Sequence, residues 1–567
     1  MVAASARMSV QENWLDTEWS KRLALQCESQ AHLSWRAAAP SHELSVGDWL
    51  LDYPANYPLG LAPWAEALLY DESAAPTCAL SRLFRRLNAS APVAGGNHSG
   101  ASLRFVVIGG SVVAGQGCST PGAPLPWAAA KQAYYRDGLH QCAWPARWQH
   151  ALRAAYPHTE LVVDNLALPG TTTSGFLPML HSILEDREGV PPVAALLVDF
   201  SANDASQPAE DVLASVEQLV RYMLRVMPHI ALMLVDGYCF EPSTHHAAMH
   251  HVSHHYGVPL VRFHSVMNAS GQQCDALWRV VSVASNSTRM HLDKRTGLAY
   301  LSVDVALLDA KHTGQPRGAQ GRAVHPSWPT HQLIADTVAA AWHRLGSSVL
   351  CWTSISAPSG AVCKPRPNGG PASRVAPPPL PSPLSAPQLL AKYDVCEVPL
   401  SAYHALEAFH QNSTGGSGAG GSGGSMGWSL REDRAGKPGW IATRVGARQT
   451  FEVRFGERPR LSVVYMRGYS AEWGTAKVQG LCSLRQLRPQ WSSRGLMGRR
   501  FVQGFCEDAT TLRGLRSDGM QVTQSEVQGI NLAWMDAPPN STRTLQVSLT
   551  ACHQETCKFK LVSLTSC

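Results

Sequence analysis

Between residues 101 and about 350, short apolar runs alternate with segments in which apolar residues recur every three or four positions. The apolar runs predict five strands, at Phe105–Ile108, Glu160–Leu166, Ala194–Phe200, Ile230–Asp236 and Pro259–Phe263. The helical patterns include Ala146–Ala155, Val212–Met227 and His331–Leu345. Alternation of strands and helices predicts βαβ units and a parallel sheet covered on both faces. Residues 101–350 are therefore predicted to form a three-layer α/β/α domain.

The flanking regions have a different pattern. Residues 1–100 lack clear periodicity and form a predicted N-terminal extension, with possible short helices at Leu23–Cys27 and Pro63–Tyr70, that packs on or leads into the α/β domain. Residues 351–427 are rich in Pro, Gly and Ser and predict a linker. Residues 428–567 carry short strand-like runs separated by turn residues, which predicts a β-sandwich. These runs are Thr450–Phe455, Arg460–Met466, Thr544–Leu549 and Lys558–Leu564.

The composition narrows the class of protein. The chain has 567 residues, of which 45% are hydrophobic and 16% charged, with a net charge of +6. These values are typical of a globular chain with a sizeable core. Dense Lys/Arg runs and basic residues interleaved with aromatic ones are absent from the sequence, so nucleic acid is not expected as a partner. No apolar stretch reaches the length of a membrane span, and the pattern leaves the oligomeric state open.

Cysteines and glycosylation sequons bear on the compartment. The 14 cysteines are scattered without a CxxC pair, which argues against a zinc ribbon and allows disulfides. Together with six N-x-S/T sequons they favour a disulfide-bonded glycoprotein of the secretory pathway or the extracellular space. The N-terminus shows no apolar segment of the kind found in signal peptides. The sequons are at Asn88, Asn97, Asn268, Asn286, Asn412 and Asn540.

Four polar motifs follow predicted strands or open the last predicted helix. They are Gly109–Ser111, Asp164–Thr172, Phe200–Asp204 and His325–His331. The carboxyl ends of parallel strands converge on one crevice, so a Ser, a Gly N–H, an Asn and a His can meet there. Such a set can perform acyl transfer, with a serine nucleophile, a histidine base and oxyanion donors. The glycines are predicted to allow a tight turn, and Ser111 is predicted at a helix N-terminus, either as nucleophile or only as an N-cap.

The order and spacing of these motifs resemble the SGNH/GDSL hydrolase superfamily over residues 101–350. With Lys437–Ile441 and Val464–Tyr469, the longer layout is similar to SGNH-type proteins of green algae and plants. The resemblance implies a flavodoxin-like sheet, Ser111 as nucleophile and His325 as general base. It also implies oxyanion donors from the Ser111 N–H, the Gly170 N–H and the Asn203 side chain, with no metal or organic cofactor.

Two positions depart from the family pattern. Gly110 stands where the family usually has Asp, a known variant, and Arg322 stands where it has the Asp that orients the histidine. A cation cannot accept the imidazole N–H, and loss of the orienting carboxylate costs about four orders of magnitude in the serine-protease case. Alternatives are an orienting Asp304 or Asp309, a backbone carbonyl, His312 as the base in Asp309–His312, or a site that no longer catalyses.

The function expected from this resemblance is hydrolysis of an ester, with a carbohydrate O-acetyl ester as substrate class, through an acyl-serine intermediate. The expected partner is therefore an ester or polysaccharide substrate. The alternatives are a catalytically silent glycan-binding protein of the same fold and a disulfide-bonded surface scaffold. Trp440, Trp473, Trp491 and Trp534 could stack on sugars, but such residues are more often core.

The segment Thr244–His255 is rich in histidine. In a helix, His246, His250 and His254 would lie at i, i+4 spacing, and so would His251 and His255; this spacing can bind a transition metal. We favour a solvated histidine face, because no carboxylate or cysteine completes a metal set nearby.

Overall fold

The structure is a computed structural model. The residues it describes are 67–70, 78–89, 102–115, 143–185, 190–205, 207–238, 244–269, 289–292, 299–302, 326, 328–355, 380–393, 399–405, 408, 426–434, 437–457, 459–467, 473–481, 510–513, 526–533, 539–552 and 557–567.

The first part of the chain forms a six-stranded sheet in the order β1-β6-β5-β4-β2-β3. Its strands are β1 (Leu68–Leu69), β2 (Leu103–Gly109), β3 (Leu161–Asn165), β4 (Val193–Asp199), β5 (Ala231–Asp236) and β6 (Leu260–Arg262). Strands β2 to β6 pair in parallel, and β1 adds antiparallel to β6. Counted in chain order, the parallel strands have the arrangement 2-1-3-4-5, which is the flavodoxin-like order.

Helices cover both faces of this sheet. They are α1 (Cys78–Ala89), α2 (Trp144–Ala155), α3 (Thr173–Phe176), α4 (Leu180–Leu184), α5 (Ser201–Asp204), α6 (Ala209–Val226), α7 (Thr244–Tyr256), α8 (Phe263–Ala269) and α9 (Trp328–Ile355). Alternate residues of β2 enter two separate cores: Phe105 and Val107 pack with α1, α2 and α9, and Val106 and Ile108 with α4, α6 and α7. The period of two along a strand explains this division.

The α/β architecture and the five strands predicted from the apolar runs are confirmed. All of β2 is buried, as a strand covered on both faces must be. The predicted helices over Val212–Met227 and His331–Leu345 are confirmed in α6 and α9. The prediction of a short helix over Pro63–Tyr70 is wrong for its last residues, because Leu68–Leu69 forms the edge strand β1.

A ring cluster anchors α2 and α9 against the sheet. Phe105 of β2, Trp148 of α2 and Trp342 of α9 contact one another edge to face, with ring centroids 5.5–5.7 Å apart. Aromatic pairs in this geometry add about 0.5–1.5 kcal/mol beyond the area they bury. The cluster fixes both helices behind the strand that ends at the Gly109–Ser111 motif.

The last part of the chain forms two antiparallel sheets, preceded by a separate hairpin of β7 (Arg289–Leu292) and β8 (Ala299–Ser302). The strands of the two sheets are β9 (Ser401–His404), β10 (Trp428–Arg434), β11 (Lys437–Ala442), β12 (Arg448–Arg454), β13 (Arg460–Arg467), β14 (Thr475–Leu481), β15 (Thr510–Arg513), β16 (Glu526–Ala533), β17 (Thr542–Ala551) and β18 (Phe559–Ser566). One sheet has the order β10-β11-β18-β13-β16, with β9 also paired to β18, and the other has the order β12-β17-β14-β15.

Both sheets contribute to one hydrophobic core, with Val463 and Leu561 from one sheet and Val453 and Val547 from the other. This β-rich region is compatible with a β-sandwich, which stays a prediction, as do the domain boundaries. Trp440 and Trp473 are buried, and Trp491 and Trp534 lie outside the described residues.

A disulfide joins Cys552 and Cys557 at the end of the β-rich region, with a Cα–Cα distance of 5.5 Å. Cys78 and Cys567 each take part in a disulfide as well. These bonds fit the predicted disulfide-bonded chain, while glycosylation stays a prediction. Among the described residues, no helix combines the length and apolar character needed to cross a bilayer.

Residues 380–393, within the predicted linker, are bound to the α/β region. Buried Glu217 of α6 accepts hydrogen bonds from the N–H groups of Leu384 and Ser385, at 2.6 and 2.7 Å, and from the Tyr256 hydroxyl at 2.5 Å. Burial alone would raise the pKa of Glu217, but these hydrogen bonds outweigh it and lower the pKa. Helix α10 (Pro387–Lys392) follows, and the Tyr393 hydroxyl donates to Asp211 of α6 at 2.6 Å.

Replacing Glu217 should therefore detach this segment. We expect Glu217→Gln to lower the free energy of unfolding by about 1.5–3 kcal/mol, the range for hydrogen bonds to a charged group, and to speed proteolysis within residues 380–393. Chemical denaturation and limited proteolysis measure this. Because the Glu217 pKa is lowered, the difference from wild type should shrink as the pH falls through that pKa. Glu210→Gln, at an exposed position of the same helix, is the control; equal behaviour of the two variants would contradict the assignment.

Candidate active site

Ser111 lies two residues beyond the end of β2, the strand between β3 and β4 in the sheet. The predicted helix does not start there: residues 111–115 form a turn, in which Ala114 N–H donates to Gly110 O at 3.0 Å and Gly115 N–H to Val112 O at 2.9 Å. Ser111 is 6% exposed, so this serine is nearly buried and not exposed as predicted.

The Asn203 side chain lies against this turn. Its Oδ1 accepts a hydrogen bond from the Ser111 N–H at 3.4 Å. A Cβ on Gly110 would lie 1.8 Å from the same oxygen and 3.3 Å from Thr171 O. A side chain at Gly110 would therefore displace the Asn203 carboxamide from this position, and the glycine does not reflect an unusual turn conformation.

Gly109 has a similar role. A Cβ there would lie 2.2 Å from Asp199 O, at the end of β4. Neither Gly109 nor Gly110 is among the glycines with positive φ, so the predicted tight turn is wrong about the reason for both glycines. Close approach of other segments explains them, through the Asp199 carbonyl at Gly109 and the Asn203 carboxamide at Gly110.

Gly170 lies in the loop that continues β3 alongside β2. In this loop Leu168 N–H donates to Gly109 O at 3.0 Å, which holds the loop beside the Ser111 turn. Gly170 has φ 81°, in the left-handed region where glycine is favoured. The structure thus brings together the segments of Ser111, Gly170 and Asn203, although they are far apart in sequence.

Two side chains tie the three segments together. Asn165 Nδ2 donates to Val113 O at 2.7 Å and joins the β3 loop to the Ser111 turn. Asp204 accepts from the Thr173 N–H at 3.0 Å and from the Thr173 hydroxyl at 2.5 Å, which joins the Asn203 helix to the Gly170 loop. Both residues lie within motifs singled out from the sequence, but their positioning role requires the fold.

His325, Arg322, His312, Asp304 and Asp309 lie outside the described residues, so the structure leaves the predicted base and its orienting group untested. The helix that follows His325 is fixed at its first turns. His331 Nδ1 accepts from the Trp144 N–H at 3.3 Å, and Arg147 donates to Gln332 Oε1 at 2.7 Å.

Three buried carboxylates lie at the carboxyl ends of β4 and β5 or just beyond them. Burial raises the pKa of Asp199 to about 6, although hydrogen bonds from Ser201 act to lower that pKa. Burial also raises the pKa of Asp204 to about 6, although hydrogen bonds from Thr173 act to lower it. Burial acts in the same direction on Asp236, but neighbouring His245 and His246 lower its pKa to about 2.

Asp236 also corrects the interpretation of the histidine-rich segment. The helix predicted there is confirmed as α7. In its first turn, however, two histidines form hydrogen bonds with the Asp236 carboxylate, His245 through Nε2 at 2.8 Å and His246 through Nδ1. The premise that no carboxylate lies nearby is therefore wrong. The sequence signal was the final residue of a buried strand, which lies at the same sheet edge as the other motifs.

No protein-family model and no curated protein matches the chain. Among solved structures, a two-domain esterase (CEX) active on acetylated mannans aligns with TM-score 0.47 and 14% identity, over 88% of this chain and 97% of that one. Its co-crystal with mannopentaose aligns similarly, with TM-score 0.45. A putative G-D-S-L family lipolytic protein from Desulfitobacterium hafniense aligns with TM-score 0.24 and 13% identity, over 42% of this chain and 98% of that one. At these values the similarities by themselves assign neither family nor activity.

The close approach at Gly110 gives one prediction. In Gly110→Ala the new methyl group would collide with the Asn203 carboxamide, so we expect a loss of about 1–3 kcal/mol in the free energy of unfolding, as for overpacked interiors. Ser111→Ala, which keeps the backbone N–H bonded to Asn203, should be near wild type in thermal and denaturant unfolding. A fully stable Gly110→Ala would contradict the contact.

The raised pKa of Asp204 gives a second prediction. A carboxyl whose pKa is higher in the folded than in the unfolded state binds extra protons when folded, so stability falls as the pH rises from about 4 to about 6. Asp204→Asn cannot ionise and should lack this loss. The stability of wild type relative to Asp204→Asn should therefore decline over that interval and level off above it, in denaturant titrations at each pH. A difference that is constant or rises with pH would contradict this.

Proposed function

We propose that this protein is a serine esterase in which Ser111 attacks the ester carbonyl. The observation that supports this most directly is the packing of the Asn203 carboxamide on the Gly110–Ser111 backbone, with the Gly170 loop beside it. Acyl transfer requires a serine oxygen beside hydrogen-bond donors, and the Ser111 turn, the Gly170 loop and the Asn203 side chain carry the groups that can supply them.

The acylation step follows from this arrangement. Ser111 Oγ bonds to the carbonyl carbon while its proton passes to the base, and the carbonyl oxygen becomes an oxyanion. The Ser111 N–H, the Gly170 N–H and the Asn203 amide would donate to that oxygen. The bond between Ser111 and Asn203 is long at 3.4 Å, so a charged oxyanion can take over the Ser111 N–H.

Collapse of the tetrahedral intermediate expels the alcohol, which takes the proton back from the base. Water then attacks the acyl-serine with the same base accepting its proton, and the acid leaves with Ser111 restored. We assign the base to His325 on the family resemblance of its His-Pro motif. With Arg322 at the usual carboxylate position, a different group orients the imidazole, and Asp304 and Asp309 are the candidates.

We propose a carbohydrate O-acetyl ester as the substrate class and the secretory pathway or extracellular space as the location. The cysteines, the sequons and the disulfide between Cys552 and Cys557 support the location. Acetylated mannans, the substrates named for the two-domain esterase, are practical first polymers to assay.

Reaction with a fluorophosphonate probe tests the nucleophile. We expect the full chain to be labelled once and Ser111→Ala not at all. Ser174→Ala is the matched control, because Ser174 is a half-buried serine just beyond the Gly170 loop and should leave labelling unchanged. Asn203→Ala should keep Ser111 but slow acetyl-ester hydrolysis by about 10²–10³ in kcat, the cost of one oxyanion donor.

Two results would overturn the proposal. Folded wild-type protein that resists the probe would point to a silent site, in which case binding of mannan by the unmodified chain becomes the function to measure. Labelling that survives Ser111→Ala would place the reactive serine elsewhere.

A further inference from the structure

The first turn of α7 and the last residue of β5 bring three metal-ligating side chains together. One ligand atom each from Asp236, His245 and His246 lies within 4.8 Å of the others. Side chains of consecutive helix residues, such as His245 and His246, point about 100° apart around the helix axis. They can therefore contact the same group only if that group lies between their two directions. Asp236 occupies that position, with one carboxylate oxygen facing each imidazole.

We propose that Asp236, His245 and His246 form a binding site for one divalent transition-metal ion, with Zn²⁺ as the probe. Two imidazole nitrogens and a carboxylate oxygen are ligands that suit Zn²⁺, and three protein ligands leave a coordination position for water. The nitrogens that face the carboxylate are the ones the metal would bind, in exchange for the protons they now share with it.

The surroundings hold these ligands in place. His245 is fully buried and the Asp236 side chain is 5% exposed. The His246 ring stacks on His264 of α8, with centroids 4.5 Å apart. Ligands held by such contacts lose little further freedom on binding an ion.

A second carboxylate lies close by. Asp199 Oδ2 is buried without a hydrogen-bond partner among the described residues, and it would lie 2.5 Å from a Cβ on Gly237, the residue after Asp236. An unpartnered carboxylate oxygen beside the ligand set adds negative potential that favours a cation. A side chain at Gly237 would displace that oxygen.

The site is distinct from the exposed histidine face of the same helix. His250 and His254 are exposed and lie at i, i+4 spacing, so they can bind metal without any contribution from Asp236. This pair provides a matched control. The proposal does not depend on the esterase proposal, because its readout is metal binding.

The test is titration of the EDTA-treated full chain with Zn²⁺, by calorimetry or against a chromophoric chelator. We expect one tight equivalent, with affinity reduced by about 100-fold or more in His246→Gln and Asp236→Asn, since even supporting residues of metal sites contribute 10–100-fold. His250→Gln/His254→Gln should keep that equivalent. Circular dichroism checks that each variant is folded.

Cobalt supplies a readout that needs no variant. Co²⁺ bound to the wild-type chain should give the intense visible absorption of a four-coordinate ion, and Zn²⁺ should displace it. Loss of tight binding in the His250/His254 variant with retention in His246→Gln would overturn the proposal. Absence of a tight equivalent in the folded wild-type chain would also overturn it, leaving Asp236 as the acceptor of a purely hydrogen-bonded histidine pair.

Discussion

The candidate site depends on the absence of a side chain at Gly110. A Cβ at that position would lie 1.8 Å from Asn203 Oδ1, so only glycine lets the carboxamide reach the backbone of Ser111. That approach requires the ends of β2 and β4 to be neighbours, which the parallel pairing of Gly109 with Asp199 provides. The tie between Asp204 and Thr173 then holds the Gly170 loop at the same edge.

The sequence predicts the parts of the fold that local burial determines. Strands buried on both faces appear as continuous apolar runs, so β2 and its parallel neighbours are visible without a structure. Placing Ser111, Gly170 and Asn203 at one edge also follows from parallel topology alone. Whether these residues act as an esterase remains a proposal.

Features that depend on distant partners are not predictable in this way. Glu217 holds Leu384 across 167 residues, and nothing in the local pattern of either segment indicates the pairing. The two-residue strand β1 is too short to show a period of two. The roles of Gly109 and Gly110 differ from the prediction for a related reason, because close approach by another segment is a tertiary property that a glycine-rich motif cannot distinguish from a turn.

The carboxyl edge of the sheet thus carries two kinds of chemistry side by side, a serine with hydrogen-bond donors and a carboxylate with two imidazoles. A crystal structure of the chain after reaction with a phosphonate tests the role of Ser111 and its hydrogen-bond donors most directly. The account predicts a phosphonyl group on Ser111 Oγ with its oxygen about 2.7–3.1 Å from the Ser111 and Gly170 nitrogens and from Asn203 Nδ2. A phosphonyl oxygen directed away from Gly170 and Asn203 would contradict it.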